Sequence, residues 1–109
     1  MFYVYDQNNS GGSFHVDKSR GIGHKVFIEA NTEEEARNKA LSIGIYFNGV
    51  DSGEDCDCCG DRWPDYAEKK DYIARNDLSR GIFNDQYFIH YGDGSVEHVD
   101  GSRDDRKAI

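Results

Sequence analysis

No apolar run in this chain approaches the roughly 18 to 20 residues needed to span a bilayer. The N-terminal MFYVYDQ has neither a basic region nor an apolar stretch of signal-peptide length. A cytoplasmic protein, away from membranes, is the expectation. Cysteine is scarce too. The three present, Cys56, Cys58 and Cys59, are an odd number crowded into four positions, which argues against the paired framework of small secreted domains and for reduced thiols. Positive charge is outweighed: 13 Lys and Arg stand against 21 Asp and Glu, a net charge of −8. Nucleic-acid affinity draws mostly on clustered Lys and Arg, so no direct DNA or RNA footprint is expected. The sequence also lacks a G-x-S-x-G elbow, an H-E-x-x-H pair and a Walker loop, and His15, His24, His90 and His98 each stand alone. Nothing here supports an enzyme.

What is present fits one small domain. At 109 residues only one core can form, and the 13% aromatic content supplies it with large side chains despite a hydrophobic fraction of 37%. The expected fold is α+β, residues 1–100, with a flexible tail at 101–109. It combines an antiparallel or mixed sheet of about five strands, including two hairpins, with one main helix on one face. The first hairpin is read from the apolar runs 2–6 and 13–17 around QNNSGG, and the second from 86–91 and 95–99 around Gly92-Asp93-Gly94. His24 to Ala30 reads as a strand. Thr32 and Glu35 at capping-box spacing, three early glutamates and Gly44 frame a helix over 32–43. The runs 45–50 and 65–78 read as a further strand and a second helix. Phe2, Val4, Phe14, Val16, Val26 and Ile28, with Ile89 and Val96, are expected to share the inner face.

The most unusual stretch is DSGEDCDCCGDRW, residues 51–63, which holds all three cysteines, the only tryptophan and five acidic residues. Cys56, Cys58 and Cys59 are close enough in sequence to share a zinc ion, given a fourth ligand from His15, His24, His90, His98, Asp57 or Asp61. A structural zinc site usually has two paired knuckles, and here there is one cluster. As a calcium loop the stretch fails: Gly53, Cys56 and Arg62 stand where an oxygen ligand, a glycine and a bidentate glutamate are needed. The surrounding acids oppose thiolate formation, which argues against thiol catalysis.

Two other features suggest recognition. Gly60-Asp61-Arg62-Trp63-Pro64 sets a guanidinium beside an indole, a pair suited to phosphates, bases or protein interfaces. In the alternative reading Trp63 fills the core, Asp61 caps a turn and Arg62 pairs with the acidic loop. The second feature is KSRGIGH, residues 18–24, which concentrates positive charge in an acidic chain. Lys18, Arg20, His24, Asp61, Arg62 and Trp63 are therefore the candidate binding residues.

With QNNSGGSF, VFIEANTEEEARNKA and GIYFNGVDSGEDCDCCGDRW, the first two thirds of the chain resemble small proteins encoded by tailed bacteriophages. That resemblance implies expression in the infected bacterial cytoplasm and a non-structural accessory role, and it carries over no catalytic residue. The expected function is non-catalytic binding by a homo-oligomer. Its target is either a host or defence protein or a small nucleotide signal held by Arg62, Trp63 and the basic loop. The alternatives are a zinc-stabilised adaptor domain and an acidic mimic of nucleic acid.

Overall fold

The structure is a computed structural model and describes residues 1–8, 14–73 and 86–100. Residues 9–12 of the turn expected over 8–12, residue 13 of the strand expected after it, the segment 74–78 of the expected second helix and the expected tail at 101–109 lie outside those residues. The described strands are β1 (Phe2–Asp6), β2 (Lys25–Glu29), β3 (Glu68–Lys70), β4 (Gln86–His90) and β5 (Val96–Asp100). The helices are α1 (Glu33–Ile43) and the single turn α2 (Gly49–Ser52). The strands form one mixed sheet in the order β3-β1-β2-β4-β5. β2 and β4 are parallel, and the other neighbours are antiparallel. A parallel pair needs a long crossover, and α1 lies in it. The α+β class, the five strands and the single main helix are as expected.

α1 starts and stops where its sequence dictates. The Thr32 hydroxyl accepts the Glu35 N–H at 3.1 Å, satisfying one of the donors a helix start leaves open. Three glutamates occupy the positive end of the dipole. Gly44 ends the helix at φ 113°, a conformation that favours glycine, and its N–H returns to the Ala40 and Leu41 carbonyls. Ala36 and Ala40, both fully buried, let the helix approach the sheet closely.

Strand register decides which residues form each core. Residues directly opposite in neighbouring strands share a face, and β1 pairs Tyr3 with Ile28, Val4 with Phe27 and Tyr5 with Val26. Tyr3, Tyr5, Val26 and Ile28 therefore meet Ala36 and Ala40 of α1, together with Ile22, Ile45 and Trp63. Val4, Phe27, Tyr87 and Ile89 form a second cluster on the opposite face, joined by Phe2, Ile73, Tyr91 and Val99. This corrects the expected inner face: Phe2, Val4 and Ile89 belong to the second cluster, while Phe14, Val16 and Val96 are exposed.

The first expected hairpin is not formed, because β1 pairs with β2 and β3 instead. Residues 14–16 are held by a side chain. Gln7 accepts the His15 N–H at 2.6 Å and donates to the His15 carbonyl at 2.9 Å, replacing the backbone exchange a strand would make. The second hairpin, β4 with β5, is present. Residues 45–50 are not a strand: Ile45 enters the core, Tyr46 and Phe47 pack against it, and α2 begins at Gly49. Residues 66–73 are not helical: β3 occupies 68–70, and Tyr66 and Tyr72 are exposed. Among the described residues, no helix is long and apolar enough to cross a membrane.

Candidate functional site

The loop from Asn48 to Trp63 is organised by Asp55, whose side chain is only 1% exposed. Its carboxylate accepts the Tyr46 hydroxyl at 2.7 Å and the Arg62 N–H at 2.8 Å, with the Arg62 guanidinium 3.8 Å away. Burial, and then the bond to Asp55, push the Tyr46 hydroxyl above its ordinary pKa. Gly49 lies against this carboxylate so closely that a Cβ there would sit 1.9 Å from Oδ2. Arg62 also donates to the Gln7 side chain at 2.9 Å, joining the loop to the end of β1. Asp61 accepts the Val50 N–H at 2.9 Å and so caps α2 from a distance.

Trp63 is 1% exposed and sits in the α1-side core. The expected stacking face is thus interior, and Arg62 and Asp61 spend their polar groups on the protein's own loop. His24 is also structural: its backbone N–H donates to the Gln86 carbonyl and its Nδ1 accepts the Gln86 N–H, both at 2.7 Å, which extends the β2–β4 pairing.

The three thiols do come together. Cys56 Sγ is 2.6 Å from Cys58 Sγ, Cys58 Sγ is 3.6 Å from Cys59 Sγ, and all three sulfurs lie within 4.8 Å of one another, close enough to bind one metal ion. All are exposed and none is in a disulfide. Hydrogen bonding from Cys58 holds the Cys56 thiol below its ordinary pKa. Cys58, bonded to Cys56 and then Cys59, is pushed up to about 11. Among the described residues no His, Asp or Glu joins the trio, so none of the expected fourth ligands is in reach.

Lys18 and Arg20 lie elsewhere, in a tight turn closed by paired backbone bonds between Asp17 and Ile22. Asp17 Oδ1 accepts the Ser19 hydroxyl at 2.6 Å and the Ser19 and Arg20 N–H groups, fixing the turn. These bonds, led by the Ser19 hydroxyl, hold Asp17 below its ordinary pKa. Gly21 adopts φ 71°, and a Cβ there would meet the His90 ring at 2.6 Å, so glycine alone fits. This turn forms one wall of a cleft of about 530 Å³, with Lys39, Ser42 and Ile43 of α1 opposite and His90 and Val96 also lining it. Three cations thus converge on one cleft of an acidic protein. Arg20 lies 3.6 Å from Asp17, whereas neither Lys18 nor Lys39 has an ion-pair partner among the described residues.

His90 is 3% exposed, and its Nε2 lies 2.8 Å from the Gly21 carbonyl. That contact requires Nε2 to carry the proton, which makes Nδ1 an acceptor; Nδ1 has no partner. Burial, aided by Lys39 and opposed by the Gly21 bond, holds the imidazole below its ordinary pKa of 6.5. Between that depressed value and 6.5 the unfolded chain binds the extra proton, so stability is lost as pH falls through this window. Folding stability should therefore fall as pH drops below about 6.5, by up to about 1.4 kcal/mol per pH unit from this group, and the thermal midpoint should fall with it. A His90→Gln variant should show a shallower slope. Asp17 and Asp93, both held below 3.8, titrate outside the window.

Fold and site together define a small α+β domain with a basic cleft on one edge of the α1 packing and a thiol cluster on a separate loop. The chain belongs to the family described as "Domain of unknown function (DUF7296)", whose profile matches residues 1–107. No curated protein and no solved structure matches it.

Proposed function

We propose that the protein is a non-catalytic binding protein for a small phosphate-bearing ligand, of nucleotide size, held in the cleft between the Lys18–Gly21 turn and α1. The observation that carries this reading is the convergence of Lys18, Arg20 and Lys39 on one cleft in a chain of net charge −8. A solvated, evenly charged surface would spread its scarce cations. The volume falls within the roughly 300–1,000 Å³ typical of small-molecule sites. Ser19 and Ser42 offer hydroxyls, Ile43 and Val96 offer apolar surface, and the three basic side chains offer charge. A ligand with an anionic end and a polar ring would use all three. Binding needs no group activated for chemistry, consistent with an accessory role in sequestering a nucleotide signal in an infected bacterium.

Calorimetry against inorganic phosphate and a panel of linear and cyclic mono- and dinucleotides tests this. Binding should weaken as salt rises. Lys39→Glu and Arg20→Glu, both exposed positions, should each weaken binding by about tenfold or more, because a charge-assisted bond becomes a repulsion. Heats indistinguishable from dilution across the panel, or affinities unchanged in both variants, would refute the proposal.

A further inference from the structure

We propose that Cys56, Cys58 and Cys59 form a three-thiolate site for a closed-shell thiophilic cation, independent of the basic cleft. An ion bound at about 2.3 Å to three sulfurs needs S···S separations of about 3.8–4.0 Å. The observed distances of 2.6 and 3.6 Å are shorter than that spacing, and all three sulfurs lie within 4.8 Å of one another, so the thiols need only spread slightly to reach it. Side-chain torsions alone can centre an ion among them.

The turn that carries the thiols is also held by bonds that involve no sulfur. The Cys56 carbonyl accepts the Cys59 and Gly60 N–H groups at 3.2 and 3.1 Å, and Gly60, at φ 86°, turns the chain back. Asn8 then clamps the far side. Its Nδ2 donates to the Cys59 and Asp61 carbonyls at 2.9 and 3.2 Å, and its N–H donates to the Arg62 carbonyl at 2.7 Å. On the near side buried Asp55, adjacent to Cys56, is tied to the Arg62 N–H. Both ends of the cysteine turn are therefore held by bonds that involve no sulfur, so the donors are gathered before any ion arrives.

The donor set specifies the ion. Three soft sulfurs with no carboxylate or imidazole in reach, among the described residues, select Zn(II) or Cu(I) over Mg, Ca or Mn. The thiols bind as thiolates, each releasing its proton to solvent. The exposed acids Asp51, Glu54 and Asp57 supply a negative local field that favours a cation. Cu(I) is satisfied by a trigonal set of three sulfurs. Zn(II) prefers four donors and would leave one corner for water or a ligand from outside the chain.

The test uses the full chain under reducing, anaerobic conditions, after a thiol assay has counted three free thiols. Zn(II) and Cu(I) are titrated separately against chromogenic chelators, and Co(II) replaces Zn(II) as a spectroscopic probe. One equivalent of either ion, protection of all three thiols from alkylation and, for Co(II), thiolate charge-transfer absorption are expected. Tetrahedral Co(II) bands would assign the Zn(II) form with a fourth outside ligand, and stronger retention of Cu(I) would assign the trigonal form. Cys58→Ser should weaken binding by about tenfold or more. The triple Cys→Ser variant should bind neither ion while its Trp63 fluorescence stays native, since all three positions are exposed. Equal metal uptake by wild type and triple variant, or unchanged alkylation of the three thiols with metal present, would overturn the proposal.

Discussion

Trp63→Ala is expected to lower folding stability by about 3–5 kcal/mol, read as a fall in the midpoint of urea unfolding followed by circular dichroism. The indole is 1% exposed and packs in the cluster that includes Tyr3, Tyr5, Ile22, Val26, Ile28 and Ile45 beneath α1. Truncation loses the transfer free energy of the largest side chain in that core and leaves a cavity its neighbours fill only in part. A domain this size has roughly 5–15 kcal/mol of stability in all, so the variant should be close to unfolding at ambient temperature. Trp63→Phe, which keeps most of the apolar volume, should cost far less. A surface recognition residue would behave in the opposite way, with weakened binding and an unmoved midpoint. An unchanged midpoint in Trp63→Ala would place the indole outside the core.

Asp55→Ala should cost about 2–4 kcal/mol. The substitution strips an acceptor from the Tyr46 hydroxyl and from the Arg62 N–H, and removes the carboxylate beside the Arg62 guanidinium, whose side chain is 14% exposed. Such buried groups lose more by being stranded than they gained from pairing. The effect should be local as well as global, with faster amide exchange at Val50 and Arg62, because the loop that presents Asp61 to α2 is anchored through Arg62. In the double variant Asp55→Ala/Arg62→Ala the costs should sum to less than the two singles, since each single leaves the other partner unmatched. Strict additivity would mean the two side chains act separately.

Parts of this fold are legible in the chain because local chemistry decides them. Thr32, Glu35 and Gly44 mark α1, and the glycines around Asp93 mark the β4–β5 hairpin. β1 could not be oriented from sequence: Phe2, Tyr3, Val4 and Tyr5 are all apolar or aromatic, so alternation does not say which set faces α1. Its partner was hidden for a different reason. The Gln7 amide satisfies the His15 backbone, and no local pattern announces a side chain standing in for a strand. β3 reads Glu68-Lys69-Lys70, an edge strand with no apolar alternation at all.

The cleft was half legible. Lys18 and Arg20 stand out as positive charge in an acidic sequence, but Lys39, Ser42 and His90 reach them only through the packing of α1 and β4. Asp61, Arg62 and Trp63 draw attention by their types, yet the structure spends them on capping, clamping and burial. The sequence does contain the observation that separates these uses. A small domain with one tryptophan has strong reason to bury it.

Inorganic phosphate and the tightest-binding nucleotide titrated into isotopically labelled protein, followed by amide and imidazole chemical shifts, test the binding proposal most directly. Saturable shifts should concentrate at Ser19, Arg20, Gly21, Lys39 and Ser42 and on the His90 ring, and should need about tenfold more ligand, or more, in Lys39→Glu. Shifts confined to residues 48–63, or none at millimolar ligand, would contradict a phosphate-binding cleft.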